Sequence, residues 1–230
     1  MYDLSDLAPT RRNQILNAKI PDRFIGLEFS DLGSYKDESQ KLVQNWMDFV
    51  NNGDVIKARG KKTCGLGLLL VGKPGHGKTT LASVVLQDVL RNIDNERFSQ
   101  TPYRPASPGL FIDYPKLLRV QQRSWKDESG TDAKLIDRIY GDAPDSENIS
   151  ILVLDDLGKE HRTATNWAED TFDALLRSRY NAGLPTIVTT NVPLKSWGET
   201  YGEAMESFAH EAFLPINIVS TEGDRRKHEG

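Results

Sequence analysis

The sequence predicts an α/β protein whose parallel sheet carries helices on both faces. Short, nearly continuous apolar runs alternate along the chain with segments of helical periodicity, as in strand–helix–strand units. The runs lack the polar alternation of a half-exposed strand, which indicates strands buried on both faces. A glycine-rich turn joins the first run to the helix after it, so we expect a parallel sheet with helical crossovers.

The first predicted elements follow a polar N-terminal stretch. Residues 1–40 are too few for a core of their own, so we expect an N-terminal extension that packs on or flanks the core. Apolar residues at helical spacing predict a helix over Lys41–Val55, closed by an Asn-Asn-Gly sequence. A buried strand is expected at Leu66–Val71, and the apolar stripe that begins at Leu81 predicts the helix after it.

The later elements repeat the same alternation. Three prolines between Ser99 and Gly109 predict an exposed loop. The remaining predicted elements are a strand at Leu110–Ile112, a helix at Lys116–Trp125, a helical piece near Leu135–Ile139, a strand at Ile149–Leu154, a helix at Trp167–Tyr180 and a strand at Pro185–Thr190.

Composition is that of an ordinary globular protein. The chain has 230 residues, 27% of them charged and 38% hydrophobic, with a formal net charge of -4. This balance does not suggest a nucleic-acid coat protein, although a local basic groove stays compatible with it. Cys64 is the only cysteine, which excludes an internal disulfide and suits a reducing cytoplasm. No apolar stretch approaches the roughly 20 residues that span a bilayer, so we expect a cytoplasmic protein without a membrane partner.

The glycine-rich turn has the spacing of a phosphate-binding loop. Its sequence is Gly72-Lys73-Pro74-Gly75-His76-Gly77-Lys78-Thr79, followed by Thr80, and it matches G-x-x-x-x-G-K-[ST]. Glycines let backbone N–H groups turn toward a phosphate, and the helix N-terminus adds positive partial charge. The motif predicts a nucleoside triphosphate site in which Lys78 is catalytic and Thr79 ligates Mg²⁺.

Two later strands also end in polar side chains. Asp155 and Asp156 follow the Ile149–Leu154 strand, at the edge where ligands bind in open α/β sheets. We expect Asp155 to hold Mg²⁺ and Asp156 to orient or deprotonate the attacking water, rather than to cap a helix. Asn191 follows the next strand and is predicted to contact the γ-phosphate or the water; an Asx turn is the alternative.

These segments resemble the AAA+ ATPases of the initiator branch, specifically the DnaC-type helicase loaders and the IstB-type transposition ATPases. The similarity extends over about residues 23–226. It is carried by Gly65–Val71 with its P-loop, Asp155-Asp156-Leu157-Gly158, the stretch from Arg179 to Asn191, and Tyr201–Met205. The resemblance implies an AAA+ domain over residues 41–226, without an evident C-terminal lid domain, and a tail at 227–230.

The resemblance also implies a function. It points to ATP and Mg²⁺ as cofactors, ATP hydrolysis, a head-to-tail oligomer with ATP between subunits, and single-stranded DNA near the oligomer axis. We expect a helicase loader that acts on a hexameric replicative helicase in DNA replication. An IstB-like transposition ATPase and a nucleotide-switched regulatory module with little hydrolysis are the alternatives. In the same comparison Arg23-Phe24 would lie near the adenine, and Asn191 would be the sensor residue.

One position departs from the families that the chain resembles. They carry a Ser-Arg pair whose arginine reaches the neighbouring ATP site, whereas this chain has Ser207-Phe208. Such an arginine can be worth about 10³ to 10⁵ in rate, so slow hydrolysis is expected unless another arginine substitutes. The segment Gly223–Arg226 only loosely resembles the second-sensor arginine of these families.

Two arginines on the helix before Asn191 are candidate substitutes. Arg177 lies one helical turn after Asp173, which favours an exposed ion pair. Arg179 shares the apolar stripe of Phe172, so it needs a buried partner or a subunit interface, and we favour an internal structural pair over an intersubunit finger.

A basic stretch with an aromatic residue is the candidate DNA contact. Arg119, Arg123 and Lys126 surround Trp125, a combination that suits the backbone and bases of single strands. Acidic residues follow directly, from Asp127 onward, and they equally indicate a solvated face.

Overall fold

The computed structural model describes residues 1–32, 37–51, 65–92, 108–144, 147–158 and 166–219. Its strands are β1 (Gly67–Val71), β2 (Gly109–Asp113), β3 (Ile151–Leu157), β4 (Thr186–Thr190) and β5 (Phe213–Asn217). They form one sheet in the order β2-β3-β4-β1-β5. Every pairing in this sheet is parallel, which confirms the predicted α/β fold class.

The α-helices found in the described residues are α1 (Pro9–Asn17), α2 (Asp37–Asn51), α3 (Lys78–Asn92), α4 (Tyr114–Ser124), α5 (Thr131–Tyr140), α6 (Trp167–Asn181), α7 (Trp197–Tyr201) and α8 (Glu203–Ala212). Local sequence explains their ends. Asp113 caps α4 by accepting a hydrogen bond from the Lys116 N–H at 2.8 Å. Gly141 ends α5 in the left-handed conformation that glycine adopts readily. No helix among the described residues is both long and apolar enough to cross a membrane.

Helices cover both faces of the sheet, as predicted. Consecutive strand residues point to opposite faces, so β1 contributes Leu68 and Leu70 to one apolar layer and Leu69 to the other. The first layer is closed by α1, α2 and α3, and the second by α4, α5, α6, α7 and α8. Burial on both faces explains why the strand sequences lack polar alternation.

The N-terminal segment packs on the first of these layers. Ile15 of α1 is completely buried there, and Phe24 is 8% exposed. The Phe111 N–H of β2 donates a hydrogen bond to the Ala18 carbonyl at 2.6 Å. The segment therefore covers part of the free edge of β2, an edge that would otherwise expose unpaired backbone groups.

Several element boundaries differ from the prediction. Helix α2 begins at Asp37, about one turn before the predicted start. Strand β3 does not end before the two carboxylates: it runs through them to Leu157, because pairing with β4 resumes beyond a bulge. Helices α1, α7 and α8 and strand β5 were not predicted. Three of the predicted features lie outside the described residues: Cys64, the segment Gly223–Arg226 and most of the loop predicted between Ser99 and Gly109. Of that loop, the structure describes only the last two positions.

Candidate functional site

The predicted site residues meet at the carboxyl edge of the sheet. Strand β4 lies between β1 and β3, so the segments that follow these three strands are neighbours. Val71 of β1 is in register with Thr190 of β4, and the Gly72 N–H donates to the Thr190 carbonyl at 3.2 Å. This pairing brings the start of the glycine-rich loop next to Asn191.

The loop from Gly72 to Thr79 turns at two glycines. Gly75 and Gly77 have φ values of 80° and 83°, a conformation that other residues adopt only with strain. Lys73 and Pro74 are exposed, whereas Gly75, His76, Gly77 and Thr80 are half-buried. The loop leads directly into the first turn of α3, and the N-terminus of a helix favours an anion.

Lys78 is folded back onto the loop. Its ammonium group donates hydrogen bonds to the carbonyls of Gly72 at 2.8 Å and Lys73 at 3.0 Å. It also donates to Asn191 Oδ1 at 2.7 Å, and its side chain is only 7% exposed. The structure thus brings together two residues predicted to act on the same phosphate, from segments more than 100 positions apart. A bound phosphate would offer the ammonium group a charged acceptor in place of these neutral ones.

A second polar group lies beside the loop. The Thr79 hydroxyl donates to Asp155 Oδ1 at 3.0 Å, and the Asp155 side chain is 6% exposed. Thr189 of β4 donates to the same carboxylate oxygen at 2.5 Å. Hydroxyl and carboxylate oxygens are the hard ligands that Mg²⁺ takes in proteins, so Thr79 and Asp155 fit the predicted ion. Mg²⁺ held there would supply Lewis-acid polarisation of phosphate oxygens.

Asp156 occupies an unusual backbone conformation. Its φ is 61°, in the left-handed region, and it lies where the register between β3 and β4 shifts. Its N–H donates to Thr189 Oγ1 at 3.0 Å instead of continuing the regular ladder. The half-buried Asp156 is therefore displaced from the simple alternation of a strand, next to the buried Asp155.

A small apolar pocket opens next to the glycine-rich loop. Its lining residues come from the N-terminal segment, α2 and the first turn of α3; they are Phe29, Ser39, Gln40, Val43 and Leu81. Leu81 is two positions after Thr79 on α3, so the pocket is close to the loop. Its cavity volume of about 10 Å³ is smaller than a nucleobase, so it is a candidate for the base only if its walls separate. Phe24, expected near the adenine, lies under the Arg23 guanidinium, with 4.6 Å from Cζ to the ring centroid. Its carbonyl accepts from Gln87, farther along α3, so a role in adenine binding stays a prediction.

The two candidate arginines have different surroundings. Arg179 is completely buried and donates to groups of its own subunit, so it cannot reach a neighbour and its predicted internal position is confirmed. Its hydrogen-bond partners are backbone carbonyls and a hydroxyl rather than the carboxylate of an ion pair. Arg177 makes the predicted pair with Asp173, at 2.9 Å to each carboxylate oxygen. Its guanidinium also lies over the ring of Phe208, 4.4 Å from the centroid, and Tyr180 packs edge-on against the same ring. Phe208 therefore belongs to the packing between α6 and α8.

The candidate DNA-contact residues are partly engaged with acids. Arg123 pairs with Asp132 at 3.0 Å, and Arg119 lies 3.8 Å from Asp113. Trp125 is 65% exposed at the end of α4, with its ring in edge-to-face contact with Trp167 at 5.6 Å. The exposed ring of Trp125 is suited to base stacking, whereas the ion pairs of the two arginines weaken the expected basic character.

Sequence reasoning missed Thr189 and Asp113. Thr189 contacts both predicted acids, and Asp113 of β2 is in register with Asp155 of β3. An Asp directly after an apolar strand was a visible signal for Asp113. Thr189 stands inside a β-branched run, which by itself indicates only a strand.

Comparison with known proteins agrees with this geometry. The model of the AAA family, the ATPase family associated with various cellular activities, matches residues 68–195, more than half of the 230-residue chain. No curated protein sequence matches the chain. Two proteins of known structure share the fold over most of this chain. The DnaC helicase loader is 24% identical, with 86% of this chain and 100% of that chain covered at a TM-score of 0.58. DnaI is 22% identical, with 87% of this chain and 95% of the DnaI chain covered at a TM-score of 0.58.

A third structure is a larger protein. The replication initiator DnaA bound to AMPPCP and single-stranded DNA is 11% identical, with 91% of this chain and 54% of that chain covered at a TM-score of 0.57. At these sequence identities, the similarity to solved structures shows a shared fold. The match to the AAA family model is separate evidence, and the residues it covers include the glycine-rich loop, both acids and Asn191. The chain therefore belongs to the AAA family of ATPases.

Proposed function

We propose that this chain hydrolyses ATP and acts as a helicase loader on a hexameric replicative helicase and single-stranded DNA. The observation that carries the proposal is the meeting of Lys78, Asp155, Asp156 and Asn191 at one sheet edge. The shape supports the loader assignment, because DnaC and DnaI are matched over almost their entire chains.

The chemistry assigned to each residue follows from its position. Lys78 would exchange its carbonyl partners for the phosphates, and Thr79 with Asp155 would hold the Mg²⁺. Asp156 would orient the attacking water and accept its proton. Asn191, which contacts Lys78 at 2.7 Å, would contact the γ-phosphate or that water.

Nucleotide chemistry is tested with two variants. Lys78→Ala should lose ATP binding, because the main cation of the loop is removed. Asp156→Asn should retain binding and lose hydrolysis, because the neutral amide cannot accept a proton. Titration with a fluorescent ATP analogue and a phosphate-release assay measure the two effects. Hydrolysis by Asp156→Asn at the wild-type rate would remove Asp156 from its assigned role.

Partner binding is tested with the wild-type protein by native mass spectrometry. The protein is weighed with ATP, with ATP and single-stranded DNA, and with a replicative helicase added. We expect ATP-dependent oligomers and a complex with the helicase hexamer. A protein that binds neither the helicase nor single-stranded DNA in the presence of ATP is not a helicase loader.

Trp125 provides a local test of DNA contact. Stacking of a base on this exposed ring should quench its fluorescence, and Trp125→Ala should weaken binding by about 1 to 3 kcal/mol. The measurement is a titration with a labelled oligonucleotide, with Trp197→Phe as a control for a buried indole of the same chain. Equal affinities for wild type and Trp125→Ala would exclude contact at this ring.

A nucleotide-switched module with little hydrolysis is the second candidate. It is favoured by Phe208, whose ring is packed between Tyr180 and Arg177 at the position expected to carry an arginine. In that case Asp156→Ala would leave the slow hydrolysis unchanged, while ATP would still control partner binding.

A further inference from the structure

Thr189 connects the two acids of the site. It lies in β4, between β3 and β1, and its side chain is completely buried. Its hydroxyl donates a hydrogen bond to Asp155 Oδ1 at 2.5 Å and accepts one from the Asp156 N–H at 3.0 Å. A hydroxyl has a single proton, so the donation goes to the carboxylate and an oxygen lone pair receives the N–H.

The bulge in β3 explains why this hydroxyl is needed. Leu154 pairs with Val188 and Leu157 with Thr190, so β3 advances three residues while β4 advances two. The extra residue leaves backbone groups without regular ladder partners. The Thr189 hydroxyl takes the place of such a partner for the Asp156 N–H, at a residue whose φ of 61° is held only if its surroundings favour it.

The same hydroxyl restrains the neighbouring carboxylate. Asp155 Oδ1 accepts hydrogen bonds from both Thr189 and Thr79, so the carboxylate is held toward the first turn of α3. Accepting the Asp156 N–H polarises the Thr189 hydroxyl and strengthens its donation to Asp155. The orientation of one acid and the backbone of the other therefore depend on the same oxygen atom.

We propose that Thr189 is a positioning residue for ATP hydrolysis that fixes Asp155 and Asp156 relative to each other. The inference rests on the proposed ATPase function and assigns Thr189 no contact with the nucleotide. Its effect is on the chemical step, because the loop and Lys78, which bind the phosphates, make no use of this hydroxyl.

The test compares three variants of the full chain. Thr189→Val keeps the shape and removes both hydrogen bonds, whereas Thr189→Ser keeps the hydroxyl. Thr190→Val is the matched control. Thr190 is the next residue of β4 and is 1% exposed; its hydroxyl donates to the Leu157 carbonyl of β3 at 2.9 Å and accepts from the Val192 N–H at 3.0 Å, with no hydrogen bond to either acid. Thermal unfolding establishes that each variant is folded, and Thr189→Ala replaces Thr189→Val if the latter is not.

We expect Thr189→Val to lower kcat about 10- to 100-fold, as loss of a supporting hydrogen bond in a metal site typically does, with the Kd for ATP within about threefold of wild type. Thr189→Ser should recover most of kcat, and Thr190→Val should keep kcat within about threefold. The idea would be overturned by a Thr189→Val kcat no lower than that of Thr190→Val, by a parallel loss of ATP affinity, or by failure of serine to restore activity. A wild-type protein without ATPase activity would instead refute the proposed function itself.

Discussion

Arg179 donates hydrogen bonds to five acceptors although its side chain is completely buried. The acceptors are four backbone carbonyls and one hydroxyl; they belong to Ile139, Ile149, Ser150, Pro185 and Thr186. Burial lowers the pKa of the guanidinium to about 9, which leaves it cationic at neutral pH. All five N–H groups are used, so one side chain joins the end of α5, the starts of β3 and β4, and α6.

Replacing this residue should be costly. Arg179→Met leaves the carbonyls without donors in the interior, so we expect a loss of about 3 to 5 kcal/mol in the free energy of unfolding. Urea denaturation followed by circular dichroism measures it. Arg177 is two positions away and forms an exposed ion pair with Asp173, so Arg177→Met should lower the free energy of unfolding by at most about 1 kcal/mol. Similar losses for the two variants would contradict a structural role specific to Arg179.

The contact between Lys78 and Asn191 gives a second prediction at this scale. In Asn191→Asp a carboxylate replaces the amide oxygen that lies 2.7 Å from the ammonium group. The new ion pair holds Lys78 and the added charge repels the triphosphate, so ATP affinity should fall at least about tenfold, equivalent to about 1.4 kcal/mol. Asn191→Ala should instead bind ATP within about threefold of wild type and hydrolyse it more slowly. Titration with a fluorescent ATP analogue distinguishes the two variants. Equal ATP affinities for Asn191→Asp and Asn191→Ala would contradict the prediction that an ion pair to residue 191 holds Lys78 away from the phosphates.

At the scale of elements, β1 is fitted closely between its neighbours. A Cβ at Gly67 would lie 2.3 Å from the Thr186 carbonyl oxygen and 2.7 Å from the Phe213 ring. A Cβ at Gly109, which likewise begins a strand, would meet only leucine methyl groups at 3.0 Å and beyond. Backbone atoms cannot move aside as easily as side-chain atoms, so a Cβ should be less well tolerated at Gly67 than at Gly109.

Alanine at these positions tests the difference. Gly67→Ala should destabilise the protein by about 1 to 3 kcal/mol, because β4 or β5 must move away from β1. Gly109→Ala should cost less, because the leucine methyl groups of α3 can rotate. Thermal unfolding of both variants measures the loss of stability. A larger loss in Gly109→Ala than in Gly67→Ala would contradict the prediction, because it would mean that the strands around β1 move apart more easily than the leucine side chains of α3 rearrange.

The elements also show what sequence could and could not predict. The apolar runs at β1 and β4 predicted strands correctly because both faces are buried. Strand β5 was missed: Pro215 lacks an N–H donor, which suits an edge strand but breaks the strand pattern. The spacing of the loop predicted where Lys78 and Thr79 would lie. The bulge at Asp156 depends on the register with β4, and no sequence pattern reports register across strands so distant in the chain.

At the scale of the whole molecule, Gln87 of α3 joins the N-terminal segment to the core. Its side chain is completely buried. Its amide oxygen accepts from the Gly26 N–H at 2.8 Å and the Tyr2 hydroxyl at 3.0 Å. Its amide nitrogen donates to the carbonyls of Phe24 at 2.9 Å and Ser83 at 3.1 Å. All four hydrogen-bonding positions of the amide are thus satisfied, three of them by the segment before residue 32.

Gln87→Met should therefore release this segment while the sheet stays folded. Methionine fills a similar volume but leaves the Gly26 N–H without its acceptor and removes one of the two donors to the Phe24 carbonyl, which keeps the Leu27 N–H. Hydrogen–deuterium exchange should show faster exchange over residues 2–26, with β1 and β4 as protected as in wild type. The exposed Gln44→Met on α2 is the matched control and should leave the pattern unchanged.

The same variant connects the N-terminal segment to nucleotide binding. Phe29 follows the Gln87-bound stretch and forms one wall of the pocket beside Leu81, so loosening the segment should open that wall. We expect the affinity of Gln87→Met for ATP to fall several-fold, by no more than about 1 to 2 kcal/mol, since the residues proposed to contact the phosphates are unchanged. Affinity for inorganic triphosphate, which has no base, should not change. A parallel loss for both ligands would mean that Gln87 supports the loop through α3, and the pocket lined by Phe29 would no longer be the candidate for the base.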